Sequence, residues 1–155
     1  MGINGLKLPS AFIQDLQSGR LFRERGSWEL KKDESAYGEP LQTELGNVFE
    51  NLAQIQKATD ELPEGYAFLS VEDAEGYTET CGVQPGEIPY FWDFSKIVCF
   101  AIAGDGAPFC FDYRENHKEP SVIWWADAYW QRVAPNYTSF IQLFDVPAPS
   151  QSTAG

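Results

Sequence analysis

The chain has 155 residues, of which 43% are hydrophobic and 15% aromatic. That length suits one domain able to bury a core without disulfide or metal staples, and the composition excludes general disorder. Eleven Lys and Arg against 23 Asp and Glu give a formal charge of −12, which repels nucleic-acid phosphate and attracts basic partners.

A first helix is expected from Pro9 and Ser10, with Phe12, Ile13 and Leu16 on one face and Gly19 as its stop. Leu21 to Glu24 and Ser27 to Leu30 read as two short strands around Arg25-Gly26, and residues 33–42 as a polar loop. Leu45, Val48, Phe49, Leu52 and Ile55 have the spacing of an amphipathic stripe, which predicts a second helix capped by Thr43 and ending before Pro63 and Gly65. Tyr66 to Val71 reads as a strand.

The stretch that follows is acidic, with Glu72, Asp73, Glu75, Glu79, Glu87 and Asp93, and no Lys or Arg occurs between Lys57 and Lys96. A solvated face is the ordinary meaning of such a run; a docking surface for a basic partner is the functional one. Tyr90, Phe91, Trp92 and Phe94 adjoin the acids. Aromatics beside acids suit an interface, and they are equally ordinary core material.

The clearest local pattern lies between Lys96 and Arg114. Ile97 to Ile102 is an apolar strand that reads as buried on both faces, and Ala103-Gly104-Asp105-Gly106 is a turn. Phe109, Phe111 and Tyr113 alternate with Cys110 and Asp112 on the return, completing a β-hairpin. Ser121 to Trp125 and Trp130 to Ala134 read as further strands. Asn136 or Thr138 then opens a helix with Phe140, Ile141 and Phe144 inward, and the tail from Pro147 reads as disordered. The order predicts an α+β single domain, a meandering antiparallel sheet flanked by helices, spanning residues 1–146.

Catalytic and metal chemistry find little support. His117 is the one histidine, set in a charged loop far from Cys81, Cys99 and Cys110, so a nucleophilic arrangement or zinc site is not expected. Glu72/Asp73 and Asp105/Asp112 are carboxylate pairs that no spacing singles out. The Gly104-Asp105-Gly106 turn lacks the lysine and helix of a phosphate loop. Calcium at Asp105 has no supporting spacing. Three scattered cysteines suit buried thiols in a reducing cytoplasm. The amino terminus lacks the charged start and apolar stretch of a signal peptide, and no apolar run reaches the roughly 20 residues of a membrane span. A cytoplasmic chain without catalytic residues, metal or cofactor is expected.

Several ordered features carry a family resemblance. Leu8-Pro9-Ser10-Ala11-Phe12 opens a helix, and Ile97–Asp112 runs through a Gly-Asp-Gly turn into an aromatic return ending in Asp. Pro120-Ser121-Val122-Ile123-Trp124-Trp125 follows, then Val133-Ala134 and Ser139-Phe140. In this order, over roughly residues 6–146, the chain resembles the SUKH superfamily, which includes yeast cell-wall assembly and killer-toxin-resistance regulators. It departs in having only Ser18-Gly19 after the first helix, and in a longer, more acidic stretch from Leu62 to Pro89.

The resemblance implies a non-catalytic α+β domain. It also implies an immunity protein that binds and blocks a toxin domain made by the same cell, often a nuclease. A nuclease needs basic surface to hold phosphate, so an acidic inhibitor complements it. Glu72, Asp73, Glu75, Asp93 and Asp105, with Tyr90 and Trp92 as aromatic anchors, are expected to face that partner. The oligomeric expectation is a monomer or weak dimer. The alternatives are a regulatory scaffold binding endogenous signalling or cell-wall proteins, an enzyme using a carboxyl pair of raised pKa in a concave pocket, and a small-ligand binder using the Trp-rich strand.

Overall fold

A computed structural model describes residues 2–22, 26–67, 70–126 and 128–147. A tight hairpin, β1 (Gly2–Ile3) and β2 (Leu6–Lys7), leads into helix α1 (Ser10–Ser18), where Pro9 precedes the first turn and Gly19 ends the helix at φ 70°. Strand β3 (Trp28–Glu29) follows, then β4 (Glu44–Val48). Helices α2 (Leu52–Gly65) and α3 (Val71–Cys81) come next. The remainder is β5 (Ile97–Ala103), β6 (Pro108–Asp112), β7 (Ser121–Trp125), β8 (Trp130–Ala134) and helix α4 (Tyr137–Ile141). The six strands β3 to β8 form one antiparallel sheet in chain order, the meander expected of an α+β domain.

The period-2 alternation of the central strands divides their side chains between two cores. Val98, Phe100, Phe109, Phe111, Val122, Trp124 and Val133 join Phe12, Tyr137 and Phe140 of α1 and α4. Ile97, Cys99, Cys110, Ile123 and Trp130 join Leu62, Phe91 and Phe94. In the first core Phe12 meets Phe100, Phe111 and Tyr137 edge-on, with centroids 5.3–5.4 Å away. Fully burying side chains of this size stabilises by roughly 1.5–3 kcal/mol each. Asp15 of α1 is also buried there; it accepts the Tyr137 hydroxyl at 2.5 Å and faces Arg20 Nε at 3.1 Å.

The expected second helix over Leu45 to Ile55 is corrected by two elements. Residues 44–48 are strand, and the helix starts at Leu52 behind Asn51, whose side chain accepts the Gln54 N–H at 2.9 Å. The misleading spacing has a physical source. The pairing of β4 with β5 shifts between Leu45 and Asn47, so a β-bulge separates Leu45 from Val48 by three residues, a helix-like interval. Gly46 sits in that bulge, where a Cβ would lie 2.8 Å from the Ala103 carbonyl. Starting later, α2 also runs later, through Pro63 to Gly65.

The strand expected over Tyr66 to Val71 is not formed by its described residues. Tyr66 caps α2, and Val71 begins α3 behind Ser70. The expected strand from Leu21 to Glu24 falls in part on residues 23–25, outside the described residues, while Leu21 and Phe22 follow α1 without joining the sheet. Residues 148–155, most of the expected disordered tail, also lie outside them.

Two segments run along the sheet margins. On the β3 side, Lys31 N–H donates to Leu143 O and Asp145 N–H to Glu29 O, both at 2.8 Å. On the β8 side, Arg132 N–H donates to Gly86 O and Ile88 N–H to Trp130 O, at 2.9 and 3.0 Å.

Candidate functional site

Helix α3 owes its position to its ends rather than to an apolar stripe. Ser70 Oγ accepts the Asp73 N–H at 3.1 Å, and Gly82 closes the helix at φ 73°. Glu72 and Asp73 occupy its first turn, where carboxylates complement the positive end of the helix dipole. Ala74 is its one buried residue, and Val71 stays 57% exposed.

The segment from Gly86 to Phe94 presents Tyr90 and Trp92 toward α3. Its pairing with β8 holds the start, and its aromatics then divide. Phe91 and Phe94 enter the second core, Phe91 stacking on Trp130 at 5.7 Å. Trp92 is 44% exposed. Tyr90 is half-buried and donates its hydroxyl to Ala128 O at 3.2 Å. Burial, and then the Glu87 charge, push the Tyr90 phenol well above its ordinary value, so it remains a donor. The Ser95 N–H holds the Asp93 carboxyl below the usual carboxylate range, so Asp93 remains an anion.

An open groove of about 460 Å³ lies between these elements, lined by Val71, Ala74, Glu75, Thr78, Glu79, Tyr90 and Trp92. Of the sequence-expected residues, the structure brings Glu75, Tyr90 and Trp92 together here. Glu72 and Asp73 share the helix but do not line the groove, and Asp93 is the exposed neighbour of Trp92. Asp105 belongs elsewhere. It sits in the β5–β6 turn, accepts the Ala107 N–H at 3.0 Å, and lines a second groove with Gln84, Pro85, Trp124, Tyr129 and Gln131. Sequence reasoning did not single out Val71, Thr78 and Glu79 as site residues. The Ser70-x-x-Asp73 capping pattern ahead of Gly82 was the signal for a helix that would have aligned them.

The chemistry-bearing residues are separated. Asp112 is buried at the end of β6 and forked onto Arg114 at 2.8 and 2.9 Å. Asp105 precedes the other end of that strand, so the two carboxyls do not form a pair. His117 is exposed, with Nε2 3.2 Å from Lys96 Nζ. Cys99 and Cys110 are register partners inside the second core, and burial pushes the Cys110 thiol well up. Cys81 is exposed at the end of α3, which corrects the expectation that all thiols are buried; α3 packs only Ala74 inward, leaving its last turn in solvent. Among the described residues no group of three or more His, Cys, Asp or Glu side chains could hold a metal ion. No helix of the described residues is long and apolar enough to cross a membrane.

An antiparallel meander with α1 and α4 on one face, α2 contributing Ile55 to that core and Leu62 to the other, and an acidic, aromatic groove at one margin defines a helix-flanked α+β domain. The chain belongs to the SMI1 / KNR4 family (SUKH-1), which it matches over residues 4–143. The elements that carried the resemblance, the Leu8-Pro9 entry to α1, the β5–β6 hairpin, β7 and α4, all lie inside that span. No curated protein and no solved structure matches the chain.

Proposed function

We propose that this domain is a non-catalytic immunity protein that captures and blocks a basic toxin domain through the acidic, aromatic face of α3 and residues 88–94. The family match supports a protein-binding role of this kind. The observation that carries the reading is the groove itself, where exposed Val71 and Trp92 lie beside Glu75 and Glu79. Large apolar side chains in water are a standing cost that a partner relieves, and the carboxylates select a partner of opposite charge. A chain of net charge −12 would also steer such a partner, with association approaching ~10⁸ M⁻¹s⁻¹ at low salt. Asp93 continues this face, and Glu72 and Asp73 extend it along α3; Asp105, which lines the second groove, is not part of it. The unpaired thiols Cys81, Cys99 and Cys110 support a reducing compartment, the cytoplasm.

The test is capture from the native cell at low and high salt. The expected result is a basic domain, released as salt rises, whose toxic activity the purified chain abolishes and the Trp92→Ala chain does not. Recovery of signalling or cell-wall proteins alone would overturn the toxin reading in favour of a regulatory scaffold.

A further inference from the structure

We propose that the α3 groove takes an arginine side chain of the partner, its guanidinium on the Tyr90–Trp92 ring pair and against Glu75 and Glu79. This rests on the protein-binding reading above and names the group that the groove selects.

The argument begins with what the chain does to its own arginines. Arg114 places its guanidinium carbon 4.1 Å from the Phe91 ring centre while forking onto Asp112 at 2.8 and 2.9 Å. Arg132 lies 4.7 Å from the Tyr37 ring centre while forking onto Glu39 at 2.8 and 2.9 Å. Each site combines an aromatic face with a carboxylate in the guanidinium plane, which is the geometry that planar delocalised cation favours.

The groove repeats those components. Tyr90 and Trp92 have ring centres 6.4 Å apart and planes tilted by 44°. Glu75 and Glu79 are four residues apart on α3, hence on one helix face. Val71, Ala74 and Thr78 complete the wall and offer apolar surface to the methylene stem. Neither residues 71–81 nor residues 88–94 contain Lys or Arg, so these segments supply carboxylates and rings but no cation. A lysine ammonium, compact and strongly hydrated, would gain less from the ring pair.

The test uses the full chain and three probes: the capped peptide Gly-Arg-Gly, its citrulline analogue and its lysine analogue. Binding is read from the indole N–H resonance of Trp92, assigned with Trp92→Phe. The expected result is a saturable shift with the arginine peptide. Affinity should fall roughly tenfold for the citrulline peptide and for the Glu75→Gln/Glu79→Gln chain, with the lysine peptide between. No saturable shift, or equal binding of arginine and citrulline peptides, or equal binding of arginine and lysine peptides, overturns the assignment. Because no partner is present, the outcomes separate: Trp92-dependent capture with no arginine binding rejects this assignment alone, and arginine binding with Trp92-independent capture rejects the partner face.

Discussion

The hydroxyl of Thr59 on α2 accepts the backbone N–H of Cys99 on β5 at 3.0 Å, and both residues are buried. The pairing of β5 with β6 slips between Cys99 and Ala101, so this N–H sits beside a bulge, and the helix supplies an acceptor for it. Thr59→Val keeps the shape and strands the donor, which should cost about 1–3 kcal/mol. Thr59→Ser should retain most of the stability. Chemical denaturation of the three proteins decides it, and equal midpoints would remove the bond from any structural role.

Two glycines should respond in opposite directions. Gly46→Ala sets a methyl 2.8 Å from the Ala103 carbonyl, and overpacking against backbone should destabilise by about 1–3 kcal/mol. Gly76 lies inside α3 with open space around it, so Gly76→Ala should stabilise by roughly 0.5–1 kcal/mol. Thermal melts of both variants make the comparison.

The expected helix over 43–55 and the observed bulge share Gly46. Glycine is a poor helix former, and in the structure it is what the strand requires. The β5–β6 hairpin, β7 and β8 were legible because short runs of aromatic and β-branched residues set off by turn formers read as buried strands from the sequence alone. Helix α3 was not, because it buries only Ala74 and carries no apolar period. The candidate site was legible in part for the same reason: acids and aromatics were visible as composition. Their meeting of Glu75 with Tyr90 and Trp92 depends on that unread helix and on the pairing of residues 86–88 with β8.

Trp92 separates binding from folding. It is 44% exposed and lies outside both cores, so Trp92→Ala should cost less stability than truncating a core ring such as Phe91, where the loss runs about 3–5 kcal/mol. The same variant should weaken partner capture by more than about 1 kcal/mol. Glu72→Lys/Asp73→Lys should chiefly slow association, and the deficit should shrink as salt rises. Calorimetry and stopped-flow kinetics distinguish the two effects.

Alkaline pH should unfold the protein through its tyrosines. Burial raises the phenols of Tyr113, Tyr137 and Tyr66, and for Tyr137 the bond to Asp15 adds to the rise. In the unfolded chain a phenol ionises near pH 10. Above that pH the native state holds more protons than the unfolded one, so stability declines as pH climbs. Below it these groups contribute no slope. Denaturation midpoints measured from about pH 8 to 11 should fall at the upper end, and less steeply in Tyr137→Phe.

The cysteines should titrate as one and two. Cys81 is exposed, whereas Cys99 and Cys110 are buried side by side. An aromatic disulfide reagent should label one thiol promptly in the native protein and the others only on unfolding. Cys81→Ser should abolish the prompt phase.

The strands of chain laid along both margins of the sheet bear on how this domain can be approached. Leu143 to Asp145 occupies the outer row beside β3, and Gly86 to Ile88 occupies the row beside β8. Both rows are where another polypeptide would zip on as an additional strand, and both are already taken by short pieces of the domain itself. At these two margins, among the described residues, recognition by main-chain ladder, indifferent to sequence, is thereby closed off. What remains there is recognition by side chains, residue against residue, in which a single exchanged charge can tell one partner from its near relative.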